Sequence, residues 1–183
     1  MQIQIEGFLM EQYLTLTVIT DDRPGIVEKI AKVVLLNQGS WLESNMSRLA
    51  GKFAGVLLVK TSQNNQANLL RDLKELSNEG IKIIAELTNN LNHEPDKRYF
   101  LNLVGNDRPG IIGALSSILA ELNVNVEELC TNCEDAPMSS ELLFRASAVI
   151  SFSGVSKVTS ALIQEKMELL SDDLIIELEL LEE

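Results

Sequence analysis

Asp22-Arg23-Pro24-Gly25-Ile26 and Asp107-Arg108-Pro109-Gly110-Ile111 are the same five residues written twice, 85 positions apart. Each copy follows an apolar run and opens an amphipathic one, so each reads as a strand turning into the first turn of a helix. Proline suits the first helical position because its φ is already set and its missing N–H would have no partner there. Glycine beside it leaves the backbone bare. A bare helix N-terminus presents unpaired N–H groups and the positive end of the helix dipole, which together suit a carboxylate or another small anion. Both loops are candidate sites. The plainer alternative is that each is a well-made turn and nothing more.

The elements around the first copy follow from periodicity. Leu14, Leu16 and Val18 alternate with Thr15, Thr17 and Ile19, a period-two strand from Gln12 that ends at Asp21. Ile26, Ile30, Val33 and Val34 have helical spacing over 24–37, and Gln38-Gly39 is a stop. Trp41 to Leu49 alternates, Ala50-Gly51-Lys52 is a hairpin turn, and Phe53 to Thr61 is a richer apolar strand. Asn64 is placed to cap a second helix through about residue 79, with Leu69, Leu73 and Leu76 on one face and Gly80 as its stop; Ile81 to Leu87 closes the unit. The order β-α-β-β-α-β is the split β-α-β arrangement of ferredoxin-like folds.

The second copy repeats this. Tyr99, Leu101 and Leu103 form the strand, Ile111, Leu115, Ile118, Leu119 and Leu122 the helical stripe, and Val124 to Asn132 the next strand. Cys133 to Glu141 replaces the tight turn with a longer acidic loop, either an inert insertion or a contact surface. A strand at Leu142–Phe152, a helix over about 155–170 and a strand at 174–181 complete it. The expected fold class is α+β, two tandem ferredoxin-like modules at 11–88 and 97–183, joined by a polar linker at 89–96. Residues 1–10 are a lead or an added edge strand.

The formal net charge is −12, and it is unevenly spread. Residues 11–90 hold nine basic and nine acidic side chains, while 91–183 hold six and seventeen. That sign repels phosphate backbones, there is no basic stripe, and only eight aromatic residues are present to stack on bases, so direct nucleic-acid binding is not expected. No apolar stretch reaches membrane-spanning length, and no signal sequence opens the chain, so the expected location is cytoplasmic. Two cysteines three apart suit a reducing compartment.

A β-α-β-β-α-β unit whose first strand runs into Asp-Arg-Pro-Gly-Ile resembles the ACT domain, a small ligand-sensing module of amino-acid metabolism, and here the resemblance spans two tandem copies. Two such modules, with Ala136-Pro137-Met138-Ser139-Ser140 ahead of Leu142-Leu143-Phe144, resemble the glycine cleavage system transcriptional repressor family. That resemblance implies a regulator with no DNA-binding domain that responds to glycine and acts on a DNA-binding activator of the LysR type. It also implies that an amino acid sits at an interface of two modules, held by the strand-to-helix loop of one and the start of the next strand. Carried over by position, the ligand-binding residues are Asp22, Gly25 and Ser40, and Asp107, Gly110 and Asn125. Backbone N–H groups near either glycine take the carboxylate, and the Asp or Asn oxygen takes the ammonium. Asp at the loop position, where amino-acid-binding members often carry Asn, is a departure. Asn125 is the better polar complement, which favours the second loop. The alternative function is an ACT-type regulatory subunit of an amino-acid metabolic enzyme; a third reading leaves the loops empty and gives the modules only a homodimerising role.

Rival signals are thin. Cys130-Thr131-Asn132-Cys133 is a lone CxxC on a strand, and the only histidine, His93, lies in the linker, so neither a four-ligand zinc site nor a redox site at a helix start is expected. Asp172-Asp173 reads as a solvated turn between helix and strand. No nucleophile elbow, phosphate loop or metal set is present, so no catalytic activity, no metal and no cofactor beyond a small amino-acid ligand are expected.

Overall fold

The computed structural model describes residues 10–88, 97–136, 142–152, 158–169 and 173–181. The chain divides into two compact units, Met1–Leu91 and Asn92–Glu183. Unit 1 contains β1 (Glu11–Asp21), α1 (Ile26–Leu36), β2 (Ser40–Leu49), β3 (Lys52–Ser62), α2 (Gln63–Glu75), a 3-10 turn (Leu76–Glu79) and β4 (Lys82–Leu87). Unit 2 contains β5 (Lys97–Asn106), α3 (Ile111–Glu121), β6 (Asn125–Asp135), β7 (Leu142–Phe152), α4 (Ser160–Glu168) and β8 (Ile175–Leu180). The sheet orders are β2-β3-β1-β4 and β6-β7-β5-β8, with every bonded pair antiparallel. These are two tandem ferredoxin-like modules, as the repeat predicts.

The central strand explains the layering. Leu14, Leu16 and Val18 of β1 are all but fully buried, while Thr15, Thr17 and Ile19 between them face the other way. The buried set meets Leu57 and Val59 of β3, Ile26, Ile30 and Val34 of α1, and Leu69 and Leu73 of α2 in one core. Each such side chain contributes about 1.5–3 kcal/mol when removed from water. Unit 2 repeats the pattern with Leu101, Leu103, Ile111, Leu115, Leu119, Ile150, Ile163 and Met167. On the helix-free face of the first sheet Ile19, Val56 and Ile84 are exposed. Among the described residues no helix is long and apolar enough to cross a membrane.

Several boundaries differ from the sequence reading. Helix α2 begins at Gln63 with Ser62 as its N-cap, ahead of Asn64, and it tightens into the 3-10 turn over its last residues before Gly80 stops it at φ 82°. The described part of α4 starts at Ser160, where the Thr159 hydroxyl accepts from the Leu162 N–H at 3.2 Å. Strand β6 continues through Cys133 to Asp135, so the first residues assigned to the acidic loop are ladder residues opposite Phe144 and Leu142. Residues 137–141 of that loop, the linker 89–96 and residues 1–9 lie outside the described residues.

Two local features of unit 1 yield a contrast that unfolding experiments can read. Ala50 and Gly51 both have positive φ, 48° and 77°, the signature of a two-residue type I′ hairpin, and alanine is a poor occupant of that conformation. In β3, a Cβ added at Gly55 would meet the Met46 Cα at 2.6 Å and the Asn45 carbonyl closer still, both backbone atoms of the edge strand. Trp41, the single tryptophan, lies in β2 opposite Val59 and packs against the same core, so it reports the unfolding of the unit. Gly55→Ala is expected to destabilise unit 1 by about 1–3 kcal/mol through overpacking, and Ala50→Asn to stabilise it by up to about 1 kcal/mol, measured by urea titration of Trp41 fluorescence.

Candidate functional site

The Pro-Gly loops differ from the expected geometry in a way that matters chemically. Proline is not the first helical residue: the helices start at Ile26 and Ile111, and Gly25 and Gly110 are their N-caps. Both glycines are left-handed, with φ, ψ of 89°, 0° and 97°, −3°. Those values fit the third position of a type II turn, where proline precedes and glycine follows. The turn reverses the chain and then hands over to the helix. Because glycine has no side chain, neither cap makes a side-chain hydrogen bond to the first turn. The first intrahelical bonds run from Lys29 N to Gly25 O at 3.0 Å and from Ala114 N to Gly110 O at 2.9 Å, leaving the N–H groups of 26–28 and 111–113 without helical partners.

Each loop is anchored to its unit. The N–H of Asp22 donates to Gly51 O at 2.9 Å, and that of Asp107 to Leu142 O at 2.8 Å, which ties both loops to the following hairpin. Arg23 donates to the Glu79 carbonyl, and Lys29 pairs with the Glu79 carboxylate, so the 3-10 turn before Gly80 buttresses the first loop. In unit 2 Arg108 reaches Asp173 at 3.8 Å. Asp22, Gly25, Val27, Glu28 and Phe53 line a shallow depression of about 320 Å³.

Two substitutions between the copies set the loops apart. Glu28, the third residue of α1, has its Oε2 4.0 Å from where a Gly25 Cβ would stand, so the first helix start already has a carboxylate folded towards it. The corresponding residue in α3 is Gly113, with open space around it and no acidic residue in the first turn. The first loop also carries Arg48, whose Nη1 lies 3.6 Å from Asp22 Oδ2. The corresponding residue is Cys133. Its thiol is pushed up in pKa by partial desolvation, then by the charge of Asp107 and a hydrogen bond to it. A thiol so placed is held protonated, the opposite of a reactive one. Cys130 and Cys133 are three apart on a continuous ladder and therefore face opposite sides of the sheet, so the CxxC cannot converge on one ion or close on itself.

Of the residues carried over from the resemblance, Asp22 and Gly25 share one depression, and Asp107 and Gly110 flank one strand-to-helix junction, Asp107 after β5 and Gly110 before α3. Ser40 is elsewhere. It pairs opposite Lys60, whereas the loop follows Asp21, which pairs opposite Lys52; the intervening length of β3 is about 27 Å. Asn125, opposite Ser151, is equally remote from Asp107 within its own unit. The residues that sequence reasoning passed over, Glu28, Gly113, Arg48 and Cys133, were signalled by the 85-residue offset, which pairs them directly.

Residues 12–84, the first unit from β1 into β4, match the family model described as the ACT domain. No curated protein matches the sequence. Among solved structures, an unknown protein from Galdieria sulphuraria superposes with a TM-score of 0.78 at 24% identity, over 94% of this chain and 100% of that one. A candidate glycine cleavage system transcriptional repressor superposes with a TM-score of 0.70 at 16% identity, over 95% and 99% of the two chains. Likeness at these identities establishes the fold alone: two tandem ferredoxin-like modules, matched along nearly the whole chain.

Acid should loosen the first unit. Hydrogen bonds from Lys29 to Glu79 and from Lys52 to Asp21, with the charge of each ammonium, hold both carboxyls below their ordinary values of 4.5 and 3.8. Asn37, then Arg71, does the same for Asp72, and Lys60, then Tyr13, for Glu11. A carboxyl whose folded pKa is depressed contributes stability above its unfolded value, and that contribution is lost as pH falls through the folded one. The urea midpoint of Trp41 fluorescence should therefore fall between neutral pH and pH values below 3.8, and fall less in Glu79→Gln. Gly110→Ala, whose Cβ meets nothing within 4 Å but whose φ stays at 97°, should lower stability by about 1–2 kcal/mol in the same denaturant, with Gly110→Asn milder.

Proposed function

We propose that the chain is a non-catalytic, cytoplasmic regulatory protein that binds a small amino acid such as glycine at its Pro-Gly loops. It represses glycine-cleavage genes by engaging a DNA-binding activator of the LysR type. The observation that carries this reading is the duplicated turn, which in both units leaves the first N–H groups of an eleven-residue helix without a capping side chain. The ACT match over 12–84 and the fold shared with a candidate glycine cleavage repressor support it. The acidic C-terminal half supports action through a protein, since such a surface disfavours contact with a phosphate backbone.

The second loop is the better receiver of a carboxylate. The N–H groups of Ile111, Ile112 and Gly113 face it with no acid in the first turn, and Asp107 stands beside the turn as acceptor for an ammonium. In the first loop the ligand would meet Glu28 as well as Asp22. Binding changes regulation only if the ligand prefers either the free or the partner-bound form, and the coupling must be reciprocal: ligand alters affinity for the activator as much as activator alters affinity for ligand.

Calorimetry with glycine, alanine and serine tests the sensing step, and Gly113→Glu is the informative variant. It raises helix propensity, so it should fold at least as well as the parent, yet it restores the carboxylate that Glu28 supplies in unit 1. Affinity is expected to drop by roughly tenfold from like-charge repulsion, with a comparable loss in Asp107→Ala. Asn125→Ala tests the position carried over on the next strand. Heat from none of the three amino acids would sink the sensing claim. Capture from a lysate tests the partner: an activator of the LysR type is expected, and recovery of a biosynthetic enzyme instead would replace this reading with that of an enzyme's regulatory subunit.

A further inference from the structure

The end of unit 1 remote from its Pro-Gly loop holds a cavity of about 390 Å³ whose eight lining residues are all polar or charged. Lys60 and Glu11 stand side by side in its wall, Nζ to Oε1 at 2.8 Å, with the Lys60 side chain only 33% exposed. Opposite them, Asn65 Nδ2 donates to Gln38 Oε1 at 3.1 Å, and Ser40 opens β2. Helix α2 begins in the same wall, with Ser62 making no capping bond and no acidic residue in its first turn.

We infer that this cavity is a second ligand site, separate from the loops, and that it takes a small polar zwitterion. The fixed pair selects for paired charge. A lone anion is opposed by Glu11 and a lone cation by Lys60, whereas a molecule carrying both aligns against both. Its carboxylate lies towards Lys60 and the N–H groups of Asn64 and Asn65 in the first turn of α2, the Gln63 N–H being taken by Met10 O; its ammonium lies towards Glu11 and the oxygens of Gln38 and Ser40. Every lining residue is polar or charged, so the occupant is small and polar. Lys60 keeps its proton at neutral pH, because the bond to Glu11 raises its pKa further. In unit 2 the residue opposite Asn125, as Lys60 is opposite Ser40, is Ser151.

Amide NMR spectra of the full chain, titrated into the millimolar range with serine and glutamine, and in parallel with acetate and methylammonium, test this. Saturable shifts are expected at Ser40, Lys60, Asn64 and Asn65 with the amino acids and weaker ones with either half-charge. Lys60→Met should weaken binding roughly tenfold while Lys60→Arg retains most of it, and preserved dispersion of the remaining signals shows that each variant is folded. Shifts of equal size with acetate alone, no shifts at these four amides, or affinity unchanged in Lys60→Met would each overturn the site. Shifts confined to Gly110 and Ile111 would likewise overturn it while leaving the loop reading intact, and shifts confined to the cavity would support it while counting against the loops.

Discussion

One constraint runs through both units: the central strand is buried on one face only and is paired on both edges. Leu14, Leu16 and Val18 cannot all reach the core unless β1 keeps its register with β3 and with β4. A slip of one residue would expose all three and bury Thr15, Thr17 and Ile19. That same register places Asp21 opposite Lys52 at the tip of the hairpin, and so holds the Pro-Gly loop against Gly51 and Arg48. Position of the loop is therefore a consequence of core packing, and no feature of the loop itself has to specify it. Unit 2 uses the identical device, Leu101 and Leu103 fixing β5 so that Asp107 meets Leu142.

Most of the fold was legible because its signals are local. Alternation in β1 and β5, the helical stripes of Ile26, Ile30 and Val34 and of Ile111, Leu115 and Leu119, and the Gly80 stop all follow from spacing and backbone freedom within a few residues. What escaped was decided over longer range or by turn chemistry. By sequence alone proline before glycine reads as the first helical residue, whereas the left-handed glycine makes the pair a type II turn that precedes the helix. Ser62 displaced Asn64 as the cap because β3 runs to Ser62 in register with Glu11, so α2 starts where the ladder ends. Cys133 reads as a loop residue because nothing near it in sequence announces the pairing with Phe144 that keeps it in β6.

The candidate site was legible as a location and not as a constellation. Pro24-Gly25 and Pro109-Gly110 marked the helix starts correctly, because only glycine adopts φ near 90° without strain. Placing Ser40 or Asn125 beside the loop of its own unit would require the strand after the helix to begin near the helix's start. A helix of eleven residues instead carries the chain about 16 Å away before that strand begins. Ser40 and Asn125 therefore lie far from the loop of their own unit.

Duplication then explains why the two loops need not do the same work. A repeated module inherits one backbone, and its copies diverge most freely where side chains face solvent. Two such positions changed the charge at the helix start: Glu28 against Gly113, and Arg48 against Cys133. In unit 1 a carboxylate and a guanidinium surround the turn, so its anion-binding capacity is partly met from within. In unit 2 both are absent, and the bare first turn is left to whatever approaches it. That difference lies outside the core, whose helical stripes Ile26, Ile30, Val34 and Ile111, Leu115, Leu119 match in kind. Stability of the fold and selectivity of the loops are accordingly separable, which is the condition under which one copy can be kept as scaffold while the other is tuned for a ligand.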